Sequence, residues 1–526
     1  MISQVCRGFV WSNVKKALQV LAPTMVLSLV SIPLFSQASQ SAIQGAVSDQ
    51  SGGVIAGATV TVIDVARGST RALVTDSAGQ YAANSVVPGT YTVRAEAKGF
   101  RTVEHSGVLV EVGQNIRVDL VMQPGEQTQT ITVSGEVPAI DTTDAQLGGT
   151  VSNNLVNALP LNGRNFDRLI QLSPGVVQTS VGAGTGTGEY TNGRRAGDDL
   201  YRVEGIATIA QTANLSGVLN GSYRAGDSGS LMPIDAIQEF NTAQGPKAQD
   251  GWKEGSVISV AVKSGTNSIH GTAYAFGRDA SATDAPNYFT GAVTPATLEQ
   301  FGATAGGPIL KNKLFWFVGY EGLRDALGDT AVDQIPTDVG TGTVLSAATA
   351  ATSTNMVDLC NFLKSPGQRG VSPLSAQLSG LGNFATGSAG SCTVTPASST
   401  VENLFPYNPT ASNNFNPPLT SLEPLNNGLF KIDYNASSKH QFTGMVFIGK
   451  TTQTVNQTTG ELLPQWELGV ADNVYMYEGG WTWTPNSNWV NYFRLGSAYF
   501  NNFTILGDAN LLAPSPYPSG YSLPTG

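Results

Sequence analysis

SVISVAVKSGTNSIHGTAYAF, residues Ser256 to Phe276, changes its period at Lys263. Ahead of that lysine, Val257-Ile258-Ser259-Val260-Ala261-Val262 is the continuous apolar run of a strand buried on both faces. Ser264-Gly265-Thr266-Asn267 then has turn composition. Beyond it, Ile269, Gly271, Ala273 and Ala275 fall on one face, and His270, Thr272, Tyr274 and Phe276 on the other. Strict alternation marks a strand whose two faces meet different surroundings. The stretch predicts a hand-over, near residue 264, from a compact domain to a large two-faced sheet.

Composition supports a β-rich chain. At 526 residues the sequence is long enough for several domains. Charged residues are 13% and hydrophobic residues 41%, with 60 glycines. That balance favours short strands and tight turns over a helical enzyme, and it can fill cores as a disordered chain could not. A net charge of -10 argues against nucleic acid as a partner. His105, His270 and His440 stand singly, with no HExxH or similar spacing, so no metal, cofactor or catalytic cluster is predicted.

The N-terminus reads as an export signal. Arg7, Lys15 and Lys16 precede an apolar run from Ala17 to Phe35, and Ser36-Gln37-Ala38 offers a small-residue cleavage site. Residues 1–38 are therefore expected to be a signal peptide. No later segment has the length and apolarity of a membrane helix, so a membrane destination would have to be reached with strands. Apart from Cys6 in the leader, Cys360 and Cys392 form an even pair, and an exported chain makes a disulfide between them plausible.

From 40 to 123, strand candidates alternate with turns about every ten residues, the pattern of a small β-sandwich. GAVSDQSGGVIAGATVTV, TDSAGQY, VPGTYTVRAEAKGF and the closing DLVM resemble the carboxypeptidase regulatory-like family, a transthyretin-like sandwich. The resemblance implies a spacer or accessory domain. Peptidase chemistry in that family resides in a separate zinc domain that nothing here matches. A related carbohydrate-binding-like fold implies possible sugar binding, but no aromatic platform supports it.

Residues 126–264 read as an α+β domain. Gln129-Thr130-Ile131-Thr132-Val133-Ser134-Gly135 is a short β-prone segment that could join a partner's sheet edge. It resembles the box of TonB-dependent receptors on which an energy-transducing protein pulls; the residues alone fit an unpartnered strand or linker equally well. Asn153 or Asn154 can cap a short helix that stops before Pro160, and Asn165 a second that stops at Pro174-Gly175. Leu161-Asn162-Gly163-Arg164-Asn165-Phe166, with the following LSPGV, YRVEGI, MPIDAIQEFNTAQG and GSVISVAVKSGTN, resembles the plug of Oar-like TonB-dependent receptors in residues and order. The Gly-rich GAGTGTG from Gly182 lacks the GK[ST] and the strand–helix context of a phosphate loop, and reads as an ordinary loop.

From 265 to 526 the chain alternates like a membrane wall. FGATAGGPILKNKLFWFVGYEG from Phe301 resembles the first barrel strands of the same family, with Gly306-Gly307-Pro308 expected to be the turn between two of them. Asp325 to Pro424 is a long polar stretch expected outside the cell, since outer-membrane barrels carry long extracellular loops and short periplasmic turns. Two hairpins follow, turning at Ala436–Lys439 and Pro485–Asn488. Tyr475, Tyr477, Trp481 and Trp483 share one parity and Glu478, Thr482 and Thr484 the other, which suits an aromatic lipid-facing girdle over a wet lumen. A barrel that encloses a plug takes about 22 strands, whereas about 260 residues with such loops supply roughly six to eight. The sequence is accordingly expected to be the N-terminal part of a longer chain.

The fold class predicted is mainly β: a signal peptide, a small β-sandwich in the periplasm, an α+β plug and the first part of a transmembrane antiparallel barrel. The resemblance implies an outer-membrane receptor or transporter, not an enzyme. Its partners would be outer-membrane lipid, a TonB-type energy-transducing protein, and an extracellular carbohydrate, peptide, protein or iron chelate. A surface adhesion or carbohydrate-binding protein without transport is the alternative.

Overall fold

The computed structural model describes residues 41–126, 130–134, 147–158, 169–170, 172–180, 187–194, 199–208, 232–244, 255–286, 295–328, 333–353, 355–395, 414–415, 420–455, 468–486 and 489–506, with a few single positions between them. The leader, Gln129, Gly135 and Leu161–Phe166 lie outside these residues, as does most of the Gly-rich run.

Eight strands build the sandwich: β1 (Ser41–Asp49), β2 (Thr59–Asp64), β3 (Thr70–Val74), β4 (Gln80–Val86), β5 (Gly89–Glu96), β6 (Thr102–Val110), β7 (Asn115–Arg117) and β8 (Leu120–Met122). One sheet runs β4-β1-β7, with β8 also on β1; the other contains β3-β2-β5-β6. Alternation decides which side chains fill the space between them. Along β5, Tyr91, Val93 and Ala95 are buried, while Arg94 stays on the open face and bonds Glu104 of β6 at 2.8 Å. Ile43, Val60, Val93 and Val108 are fully enclosed in this core, each contributing about 1.5–3 kcal/mol by burial. The turn before β4 is built by Asp76, whose Oδ1 accepts from Ala78 N at 2.9 Å and Gln80 N at 2.8 Å.

A ninth strand, β9 (Thr130–Ser134), extends the second sheet to β3-β2-β5-β6-β9. It lies parallel to β6, with Thr102 opposite Thr130 and Ser106 opposite Ser134.

The inner domain contains β10 (Leu147–Ser152), a helix Asn153–Ala158, the hairpin β11 (Val176–Ser180) and β12 (Thr187–Thr191), β13 (Leu200–Val203), β14 (Ile206–Ala207), β15 (Ile237–Gln244) and β16 (Val257–Val262). Its sheet order is β10-β15-β16-β13-β14. β16 is paired on both sides, to β15 antiparallel and to β13 parallel, and all six of its residues are buried. This accounts for VISVAV: a central strand with both faces covered has no polar side to show. Both asparagines 153 and 154 fall inside the short helix, and the Asn153 amide donates to Ile237 O at 2.7 Å.

The third unit is a wall of seven antiparallel strands in strictly sequential order. They are β17 (His270–Asp279), β18 (Ala296–Leu310), β19 (Leu314–Gly328), β24 (Thr420–Ser437), β25 (His440–Val455), β26 (Leu468–Asn486) and β27 (Trp489–Leu506). The short pairs β20 (Asp333–Gln334) with β23 (Asn414–Phe415), and β21 (Leu381–Gly382) with β22 (Thr393–Val394), lie in the connection between β19 and β24. The wall strands from β18 onward have 15 to 19 residues, more than the roughly 9–11 that cross a bilayer. The sheet is open, with β17 and β27 at its edges.

Two expectations are corrected here. Gly306-Gly307-Pro308 is not a turn: these residues continue β18, opposite Phe317, Trp316 and Phe315, and the chain reverses at Lys311–Lys313. The glycine serves packing, since a Cβ on Gly306 would lie 2.9 Å from the Phe317 ring. The polar stretch Asp325–Pro424 is also not all loop. Asp325–Gly328 and Thr420–Pro424 pair as wall strands, and between them lie helices Ala347–Ala350, Met356–Leu363 and Pro373–Leu378.

Candidate functional site

The wall's two faces carry different chemistry. Val318, Tyr320, Phe430, Phe442, Tyr477 and Phe493 are exposed on the outer face. Near the short turns the same face carries stacked rings: His440 on Trp481 at 5.9 Å, Trp481 on Trp483 at 5.9 Å and Phe442 on Trp481 at 6.2 Å. Aromatic rings at this level suit an interface belt. The expected parity of β26 holds, with Tyr477 and Trp483 outward, and Glu478 and Thr484 buried. The expected wet lumen does not. Phe317, Leu429, Met445, Phe447 and Met476 of the inner face join Phe240, Ile258 and Val260 in one core. The inner face is part apolar because it is covered by a packed domain rather than by water.

Polar ties cross the same interface. Lys431 of β24 sends its ammonium inward, donating to Glu204 Oε1 at 2.8 Å and to Val262 O at 3.0 Å. The same carboxylate oxygen accepts from Val262 N at 2.8 Å. Glu204 and Gly205 form the two-residue turn between β13 and β14, with φ of 49° and 79°. That positive φ pair is the primed turn that matches strand twist, and it aims Glu204 at the wall. Burial works against the Glu204 charge, yet Lys431, Arg494 and the hydrogen bonds hold its carboxyl below the usual range. On β17, Thr272 donates to Asp235 of the inner domain at 3.0 Å, and Tyr274 bonds Glu321 of β19.

The sandwich is seated at the short-turn end. Asn267 N donates to Ala66 O at 3.0 Å, and Asn267 also exchanges bonds with Asn312 in the β18–β19 turn. Val112 N donates to Glu239 of β15, joining sandwich to inner domain. Burial pushes the Glu239 carboxyl up to about 7, and Glu111 adds to the rise, outweighing the Val112 bond. A cavity of about 140 Å³ opens where all three units meet, lined among others by Asp64, Arg67, Glu204, Lys431, Asp433 and Arg494. Its acids and bases are equal in number, and its volume and polarity suit water.

At the opposite end of the wall, Cys360 and Cys392 are joined in a disulfide inside a small core with Ala376 and Leu381. The buried Lys364 ammonium donates to the carbonyls of Asn383 and Gly390. The long connection is thus a folded cap. Thr130 to Ser134 of the box-like segment sit on the sandwich edge, far in sequence from the cysteines; the structure does not gather these residues into one site. Sequence reasoning missed Glu204 and Lys431. The available signal was parity: Lys431 shares its face with Leu425 and Leu429, which places a lysine inside.

With this geometry in hand, the relatives are informative. Residues 261–520 match the model described as an outer membrane beta barrel domain, and residues 42–123 match the carboxypeptidase regulatory-like domain. The chain therefore carries a domain of the outer membrane beta barrel class, with a carboxypeptidase regulatory-like domain ahead of it. Within that class it is a homologue of the TonB-dependent transporter Oar of Myxococcus xanthus, 27% identical over 264 residues, which are 47% of this chain and 23% of that protein. The chain thus spans less than a quarter of this relative's length. Among solved structures, the outer membrane transporter YddB of Escherichia coli aligns with a TM-score of 0.40 at 11% identity, over 68% of this chain and 39% of that one. The ferric enterobactin receptor of Pseudomonas aeruginosa aligns with a TM-score of 0.39 at 11% identity, over 68% and 41%.

Proposed function

We propose that the protein is a TonB-dependent receptor and transporter, in which the inner domain is a plug, the sandwich faces the periplasm and Gln129–Gly135 is the segment on which the energy-transducing protein pulls. The observation that carries this reading is the shared core between wall and inner domain, crossed by the Lys431–Glu204 pair. A wall that only anchored an adhesin would have no need to share a core with a separate domain built on a five-stranded sheet. The loops support this orientation: strands are joined by short turns at one end and by a folded cap at the other, as on the periplasmic and extracellular sides of outer-membrane barrels. The cap is then the ligand-facing element, and its ligand is a carbohydrate, peptide, protein or iron chelate.

The test deletes Gln129–Gly135 from the full-length protein. Loss of capture by the periplasmic domain of a TonB-type protein, with outer-membrane assembly intact, is expected. Undiminished capture would overturn the coupling role and favour an adhesion or carbohydrate-binding protein.

A further inference from the structure

Thr130–Ser134 does not hang free between sandwich and inner domain. It is the last strand of the sandwich's second sheet, parallel to Thr102–Ser106 of β6. The sandwich that holds it is itself fastened, through Ala66 to Asn267 of the wall's entry turn and through Val112 to Glu239 of the inner domain. We infer that the β6 edge is a strand-docking surface whose resting occupant is Thr130–Ser134, so that the sandwich acts as a clasp. An energy-transducing partner must draw the strand off β6 before it can pull the inner domain. This rests on the coupling reading given above.

Two observations favour withdrawal over simple addition of a partner strand to the open edge of β9. The first is mechanical. The segment stands between the sandwich and Leu147, where β10 of the inner domain begins. While β9 stays paired, tension on it is borne by β6 and by a sandwich fastened to the wall, and only what remains reaches β10. The second is energetic. β9 is a five-residue parallel edge strand, and parallel pairing is the weaker kind. Among the residues whose burial is described, Ile43, Val60, Val93, Val108 and Leu120 of the sandwich core lie on strands other than β9. Such an edge can open locally while the domain stays folded. If it is open about one part in ten, partner affinity is reduced about tenfold.

Ser106 and Ser134 are register partners, so the double variant S106C/S134C in the full-length protein can lock the clasp. The probe is the purified periplasmic domain of a TonB-type protein. Oxidation of the double variant is expected to lower capture at least tenfold, reduction to restore it, and S106C alone to bind as wild type in both states. In unmodified protein, those amides of Thr130–Ser134 that face β6 are expected to exchange slowly at rest and faster once the probe is added, while those on the open edge exchange fast at rest. Equal capture in both redox states, or failure of the two cysteines to cross-link, would overturn the clasp. A synthetic peptide of residues 128–136 separates the two readings: if it binds the probe, coupling stands without the clasp. If neither peptide nor wild-type protein binds, both fall.

Discussion

Lys431 and Glu204 meet 2.8 Å apart, one rooted in the seven-stranded wall and the other in a turn of the domain packed against it. Their side chains are only 3% and 12% exposed. Neither charge is hydrated as it would be at a surface, so each depends on the other. Lys431→Met should leave the buried Glu204 with only the Val262 N–H and the charge of Arg494 to support it, at a cost of up to about 3–5 kcal/mol. Adding Glu204→Gln removes the orphaned charge and should recover most of that loss. Urea titration of the full-length protein, followed by protease accessibility of the inner domain, reads the effect. If the single and double variants were equally destabilised, the pair would not be the tie described.

Gly265 marks the hand-over between the enclosed domain and the wall. A Cβ there would sit 2.4 Å from Trp316 O and 2.7 Å from Gly307 O, both backbone atoms that cannot swing aside. Gly265→Ala should therefore displace β17 from its seat, costing about 1–3 kcal/mol as an overpacked site. The check is heat-modifiable mobility of the outer-membrane protein. Gly277, whose Cβ would meet nothing within 4 Å, is the matched control and should tolerate alanine.

How much of this was legible follows from which forces act locally. VISVAV announced a strand covered on both sides, and β16 is one because β13 and β15 flank it. The parity of Tyr477, Trp483 and Glu478 announced which way β26 faces, since a period of two survives any tertiary context. Gly306-Gly307-Pro308 misled because turn composition also serves close packing, here against Phe317 and Ile269. The inner face was misread as wet because alternation reports that two surroundings differ, not what fills them. β9 could be seen as β-prone, but its choice of β6 as neighbour is a non-local pairing that no short-range pattern encodes.

Glu239 gives the sandwich contact a pH dependence. Its carboxyl ordinarily titrates at 4.5 and is pushed up to about 7 in the fold, chiefly by burial. The folded state thus holds a proton that the unfolded state has already released, so stability falls as pH rises from about 4.5 through about 7. The full difference amounts to about 3 kcal/mol and is present only above that window. Glu239→Gln keeps an oxygen for the Val112 N–H and has nothing to ionise. It should raise the unfolding midpoint at pH 8, change little at pH 4.5, and flatten the profile between them. Parallel profiles for variant and wild type would show that Glu239 does not titrate across this contact.

The folded cap makes its own prediction. Cys360 and Cys392 are 32 residues apart in sequence and lie in a core of few apolar side chains, Ala376 and Leu381 among them. So small a core supplies little burial energy, and the cross-link must supply the rest by limiting the unfolded cap. Closing a loop of this length is worth about 3–4 kcal/mol in the chain-entropy model. Replacing both cysteines by alanine should open residues 333–395 to protease while the wall, whose strands pair independently of the cap, keeps its resistance. Lys364→Met should have a smaller effect in the same direction, since it leaves the carbonyls of Asn383 and Gly390 without their ammonium. Limited proteolysis of intact cells, with fragments assigned by mass, reads both. Cleavage confined to the cap also reports which side of the membrane it occupies, and protection of the cap on intact cells together with cleavage of the sandwich would reverse the orientation proposed above.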